Sequence, residues 1–164
     1  MTKITYFVHG TTVDNENKIS SGWHDVELSE LGIQQSKELW NKIKGKYFDV
    51  VFCSDLKRAI DSAELTFKDK VKIISDKRLR ECNYGEYNGL ASEIVEPMQE
   101  ENIEKSFLGG ESCNDVKIRV NDFLHYLKEN YDGKSVAVVA HKVPQLALDV
   151  LIKNKKWKQA FAED

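Results

Sequence analysis

Short apolar runs alternate with longer amphipathic stretches along the chain, and each kind predicts its own element. Ile4 to Val8 reads as a buried strand that stops abruptly at His9-Gly10-Thr11-Thr12. From Ser29 to Ile43, Leu31, Ile33, Leu39, Trp40 and Ile43 recur at helical spacing, with Ser29 placed as N-cap and Gly45 as a stop. Val50-Val51-Phe52 predicts a second buried strand, and Ser54-Asp55 then caps a helix running through Ala63 to Phe67. Val71 to Ile74 is a third short strand. Residues 91–105 are acidic and weakly periodic, as in a mobile covering segment or an exposed helix. Val116, Val120, Phe123, Leu124 and Leu127 mark a helix over Asp115 to Tyr131 that closes near Gly133. Ser135 to Ala140 is a fourth strand ending at His141, with a helix from Gln145 to Ile152 behind it.

Strands alternating with helices predict an α/β sandwich, a three-layer α/β/α arrangement on a mostly parallel central sheet. Only two prolines, no repeat and no low-complexity tract leave no linker, so residues 1–164 are expected to form one domain. Ligands of such sheets bind beyond the carboxyl ends of the strands. Three chemically suggestive segments lie there: His9 after the first strand, Ser54 to Arg58 after the second, and His141 after the fourth.

Composition narrows the classes. A net charge of −3 argues against general attraction to nucleic acid or to an anionic membrane, so a phosphate site would have to concentrate positive charge locally. Cys53, Cys82 and Cys113 are widely spaced without a CxxC pair, which indicates neither a disulfide framework nor zinc. The four histidines also lack tight ligand spacing, so no metal is expected. Met1-Thr2-Lys3-Ile4 runs straight into a strand, with no signal-peptide core, and no segment is long enough to span a membrane. The expected location is the cytoplasm.

His9, Arg58, Glu81 and His141 together suit phosphoryl transfer. Neutral imidazole is a competent nucleophile, and a covalent phosphohistidine divides one difficult transfer into two easier ones. The phosphoryl group in flight needs fixed donors, such as the arginine fork and a second, protonated histidine. A carboxyl group of raised pKa can give the leaving oxygen its proton. On the residues alone other readings stand beside these. Arg58 could pair with Asp55 or Asp61, Glu81 could be a surface charge beside Arg78 and Arg80, and His24 and His125 read as structural or exposed.

The runs His9 to Asn15, Ser21-Gly22-Trp23-His24-Asp25 and Leu28-Ser29-Glu30-Leu31-Gly32 resemble the phosphoglycerate mutase-like branch of the histidine phosphatase superfamily. So do Ser54-Asp55-Leu56-Lys57-Arg58-Ala59, Arg78-Leu79-Arg80-Glu81 with Tyr84-Gly85 and Gly89, Gly109-Gly110-Glu111-Ser112, and Val138-Val139-Ala140-His141, in that order. The resemblance implies a phosphoglycerate mutase-like fold, His9 as the phosphorylated nucleophile, Glu81 as general acid and base, and His141 and Arg58 on the transferred group. Asn15 would add a donor, and Ser21 and Gly22 lie where relatives hold a substrate phosphate or carboxylate. Asn15 and Ser21 also fit as plain turn residues. The implied partner is a small phosphorylated metabolite, with no organic cofactor.

Two departures stand out. The family has arginine immediately before the nucleophile, and this chain has Val8; such a guanidinium contributes on the order of several kcal/mol to transition-state binding. After His141, where a small residue is common, stands Lys142, which either partly replaces the missing charge or is a solvated lysine at a helix start. The segment between Gly89 and Gly109 is short for the covering insertion of a mutase, which favours water as acceptor and makes a phosphatase the leading reading. A weakly active or inactive phospholigand-binding protein, motivated by Val8, is the second reading, and a phosphoglycerate mutase the third.

Overall fold

The computed structural model describes all residues, 1–164. Four strands form one parallel sheet: β1 (Lys3–Val8), β3 (Val50–Cys53), β4 (Ile73–Ser75) and β6 (Ser135–Ala140), in the order β1-β6-β3-β4. Val51 and Cys53 point to one face and Val50 and Phe52 to the other, the period-two alternation of a strand buried on both sides. α2 (Glu30–Ile43) and α3 (Lys57–Phe67) cover the first face through Ile43, Ala63 and Phe67. α5 (Cys113–Asn130) covers the second through Phe123 and Leu127, and α6 (Lys142–Ile152) packs beside it through Val143, Leu146 and Ala147. The architecture is therefore the three-layer α/β/α sandwich that the pattern predicts.

β6 lies between β1 and β3, paired parallel with both, Val8 opposite Ala140 and Cys53 opposite Val139. This register brings the carboxyl ends of β1, β3 and β6, and thus His9, Ser54 and His141, to one edge of the sheet. His9 N–H extends the ladder by donating to Ala140 O at 3.0 Å, and Ser54 N–H donates to Val139 O at 3.1 Å.

Several predicted boundaries move. Ser29 does cap α2, accepting from Gly32 N–H at 3.2 Å. Ser54 and Asp55, by contrast, do not cap α3, which starts at Lys57. The Lys57 N–H is taken by Asp25 Oδ1 at 2.9 Å, because Asp55 is held by Arg80 at 2.7 and 2.9 Å and Ser54 turns toward His141. The third strand is Ile73–Ser75, two residues later at its start. α5 begins at Cys113, with Asp115 the reciprocal partner of the Ser112 cap. α6 begins at Lys142 rather than Gln145, since Pro144 is tolerated in a first helical turn.

Residues 91–105 hold an exposed helix, α4 (Ser92–Glu101), whose Val95 and Gln99 are buried. It follows β5 (Leu90–Ala91), which pairs antiparallel with β2 (Ile19–Ser20). These small elements, the single-turn α1 (Val13–Glu16) and the C-terminal α7 (Trp157–Ala162) had no pattern long enough to predict them. No helix is long and apolar enough to cross a membrane. The three cysteines are buried free thiols, and burial pushes those of Cys53 and Cys113 up to about 12.

Candidate active site

A cavity of about 260 Å³ opens at the carboxyl edge of the sheet, lined by Val8, His9, Asn15, Ser21, Gly22, Arg58, Glu81, Tyr84, Glu96 and Lys142 among others. All the sequence-predicted site residues except His141 line it. His141 is fully buried behind His9, its ring centroid 5.1 Å away.

His9 sits where β1 leaves the sheet. Its Nδ1 lies 2.7 Å from Gly10 O, and a carbonyl only accepts, so Nδ1 carries the proton and Nε2 keeps its lone pair. Burial and the nearby Arg58 lower its pKa to about 4, which keeps the imidazole neutral across the physiological range. The tight turn depends on close approach to α2: a Cβ at Gly32 would lie 1.9 Å from Thr11 O. Gly10 N–H donates to Ser62 Oγ at 2.9 Å, tying the turn to α3.

Arg58, on the first turn of α3, is buried and pairs with neither Asp55 nor Asp61. Its two terminal nitrogens donate to Gly22 O at 2.7 Å and His24 O at 3.0 Å. The fork is thereby fixed with donors to spare. Gly22 reaches Arg58 only at φ +56°, and a Cβ there would fall 1.9 Å from Asn88 Oδ1, so glycine is required. The carbonyl of Gly22 thus serves the arginine. Ser21 donates its hydroxyl to Asp14 at 2.8 Å, and Asn15 Oδ1 accepts from Thr12 N–H at 2.9 Å. Asn15 completes a capping box on α1, the turn role, and its NH₂ stays free beside the cavity.

Glu81 is buried and is not a surface charge beside Arg78 and Arg80. Burial raises its pKa, opposed by N–H donation from Cys82 at 2.8 Å and Val143 at 3.2 Å and by Arg58. Both N–H groups fall on Oε1, and Oε2 makes no hydrogen bond in the chain. The backbone carbonyl of Glu81 is clamped by Trp23 Nε1 at 2.7 Å and Arg119 at 3.0 Å. Arg119 in turn holds Arg78 O and Arg80 O and is itself held by Glu111.

His141 differs from the predicted protonated donor. Burial, followed by Arg58 and His9, drives its pKa well below the ordinary histidine value, so it is neutral. Ser54 Oγ accepts from Leu56 N–H and lies 2.8 Å from His141 Nε2. The remaining ring nitrogen, Nδ1, is a buried atom with no partner. Tyr6 holds the His141 backbone, donating to its carbonyl at 2.6 Å and accepting from its N–H at 3.1 Å.

Sequence reasoning missed Tyr6 and Arg119 and the supporting roles of Ser54 and Trp23, which it had placed only in motifs. They are distant in sequence from what they hold, and only the fold brings them near. His24 contributes its carbonyl to Arg58, while its ring lies near Gly89. Of the acidic residues in the cover, Glu96 alone lines the cavity. No three His, Cys, Asp or Glu side chains are grouped to hold a metal.

Fold and cavity together define a class, α/β proteins with paired histidines at a sheet edge. A family model for the histidine phosphatase superfamily (branch 1) matches residues 6–160, and the chain belongs to that superfamily. It is 30% identical over 157 residues to phosphoserine phosphatase 1 of Hydrogenobacter thermophilus, covering 90% of this chain and 74% of that one. It is 33% identical over 149 residues to a 2,3-bisphosphoglycerate-dependent phosphoglycerate mutase of Methylorubrum populi, covering 81% and 70%. Among solved structures, a mycobacterial glucosyl-3-phosphoglycerate phosphatase in complex with VO3 superposes with a TM-score of 0.84 at 26% identity, covering 96% of this chain and 84% of that one.

Proposed function

We propose that this protein is a phosphatase that hydrolyses small phosphate monoesters through a phosphohistidine on His9. The observation that carries the reading is the 2.7 Å contact of His9 Nδ1 with Gly10 O, which leaves a neutral Nε2 lone pair in a cavity shared with Arg58 and Glu81. The lone pair forms the N–P bond as the ester P–O bond breaks, and the departing alkoxide takes a proton from Glu81. Arg58 holds the equatorial oxygens, with the buried His141 packed behind His9. Glu81, now a carboxylate, removes a proton from water, whose oxygen displaces His9 from phosphorus and regenerates the neutral imidazole.

Water is the acceptor in this reading because the cavity is open: Val8, Asn15 and Glu96 are all exposed on its rim, and the cover above it is one short helix. Relatives of both kinds, phosphatases and mutases, match the chain, so a phosphoglycerate mutase assay belongs beside the hydrolysis assay. Val8 supports the second reading, a phospholigand-binding protein of little activity, since its half-exposed apolar side chain adds nothing to phosphate binding.

Steady-state phosphate release from an aryl phosphate tests the proposal. Wild type should turn over and His9→Ala should lose roughly 10³-fold or more. Absence of turnover in wild type, with activity appearing only in Val8→Arg, would replace the hydrolase with a degenerate site. Phosphate binding without chemistry in either protein would establish the binding module.

A further inference from the structure

We propose that Lys142 is the second phosphate-binding cation of this cavity, leaving Asp164 to meet the bound phosphoryl group. The inference rests on the cavity being a phosphate site. Beyond neutral His9, Arg58 and Lys142 are the only basic side chains lining it, set against the carboxyl groups of Glu81 and Glu96. A phosphate dianion taken from water into this wall needs more than one compensating charge. Two of the Arg58 donors are already committed to Gly22 O and His24 O.

Lys142 has the position and the freedom for this role. It is the first residue of α6, directly after His141, and a helix N-terminus favours an anion there. The Lys142 ammonium lies 3.3 Å from Asp164 Oδ2 and 5.7 Å from the Phe161 ring centroid. Both members of the ion pair are about one-third exposed, at 34% and 35%, and a pair so exposed holds weakly. A phosphate dianion bound beside Arg58 competes for the ammonium. Val8 stands opposite Ala140 in the sheet, so positions 8 and 142 flank the same corner of the cavity, and a cation at either can reach it.

The test measures inorganic phosphate affinity by titration calorimetry and aryl phosphate turnover, on wild type, Lys142→Met, Lys142→Met with Val8→Arg, and Asp164→Asn. Urea unfolding serves as a control for each variant. Lys142→Met should weaken phosphate binding and raise KM on the order of tenfold, as loss of one charged hydrogen bond does. Val8→Arg added to Lys142→Met should recover most of that loss, which a structural role for Lys142 would not allow. Asp164→Asn should tighten phosphate binding. Wild-type affinity in Lys142→Met, or a loss that Val8→Arg fails to recover, overturns the proposal. Phosphate binding that depends on Lys142 in a wild type without turnover would sink the hydrolase reading alone. A wild type that binds no phosphate would sink both.

Discussion

His9 and Glu81 share a cavity, yet burial pushes them to opposite ends of their ordinary ranges: the histidine falls to about 4 and the carboxyl rises above 4.5. The nucleophile is thereby deprotonated and the acid protonated at pH values between the two. The expected kcat/KM profile rises through a pKa near 4 and falls through the raised pKa of Glu81. Glu81→Gln should cut kcat/KM by roughly 10²–10⁴ and remove the alkaline limb for an ester with a poor leaving group, with less effect on kcat/KM for an aryl phosphate that needs no proton, while kcat falls for both because water attack loses its base. The same residues affect stability. Unfolded histidine has a pKa of 6.5, so between about 6.5 and 4 the unfolded chain takes up a proton that folded His9 excludes. Stability therefore drops as pH falls through that window, by about 1–2 kcal/mol at pH 5 for His9, and does not change on this account above it. Urea midpoints at pH 7 and pH 5 should fall more steeply for wild type than for His9→Asn. At this scale His9, Arg58 and His141 were legible as residue types following strands, and Glu81 through the resemblance of its segment. Their protonation was not, because it is set by Gly10 O, by burial and by the charges that the fold brings near.

Among the elements, the long ones were readable and the short ones were not. β1, β3, β6, α2 and α5 carry their hydrophobic period over enough residues to be recognised, whereas β2, β5 and α1 have two to four residues each and owe their form to what they touch. The start of α3 shows why local chemistry misleads. Ser54 and Asp55 have the side chains of good caps, but His141 and Arg80 engage them first, and Asp25, far back in the chain, caps the helix. Asp25→Ala should cost about 1 kcal/mol of stability, as loss of a cap usually does, and should also raise KM because α3 carries Arg58. Phe52 packs edge-on against Phe123 between β3 and α5, with centroids 5.3 Å apart. Phe52→Ala should destabilise the protein by about 3–5 kcal/mol in chemical denaturation while leaving the cavity residues in place.

For the molecule as a whole, the order β1-β6-β3-β4 is the decisive feature. It inserts the last strand between the first two of the sheet and so brings His141 beside His9. The alternation of elements announced a mostly parallel sheet, and the resemblance of the motifs announced the family. The insertion of β6 is carried by neither local period nor turn chemistry, since it depends on which buried faces match across the sheet. The cover also belongs to this scale. α4 buries only Val95 and Gln99, and the cavity beneath it stays open to solvent, which supports hydrolysis over retention of the phosphoryl group. Everything in the functional account passes through one covalent species on one nitrogen. Rapid acid-free quenching of wild type with an aryl phosphate, followed by peptide mass spectrometry, tests it directly. The account predicts one added phosphoryl group on the peptide containing His9, formed within a turnover and accumulating in Glu81→Gln. Turnover with the label absent, or with the phosphoryl group on any other residue, would contradict it.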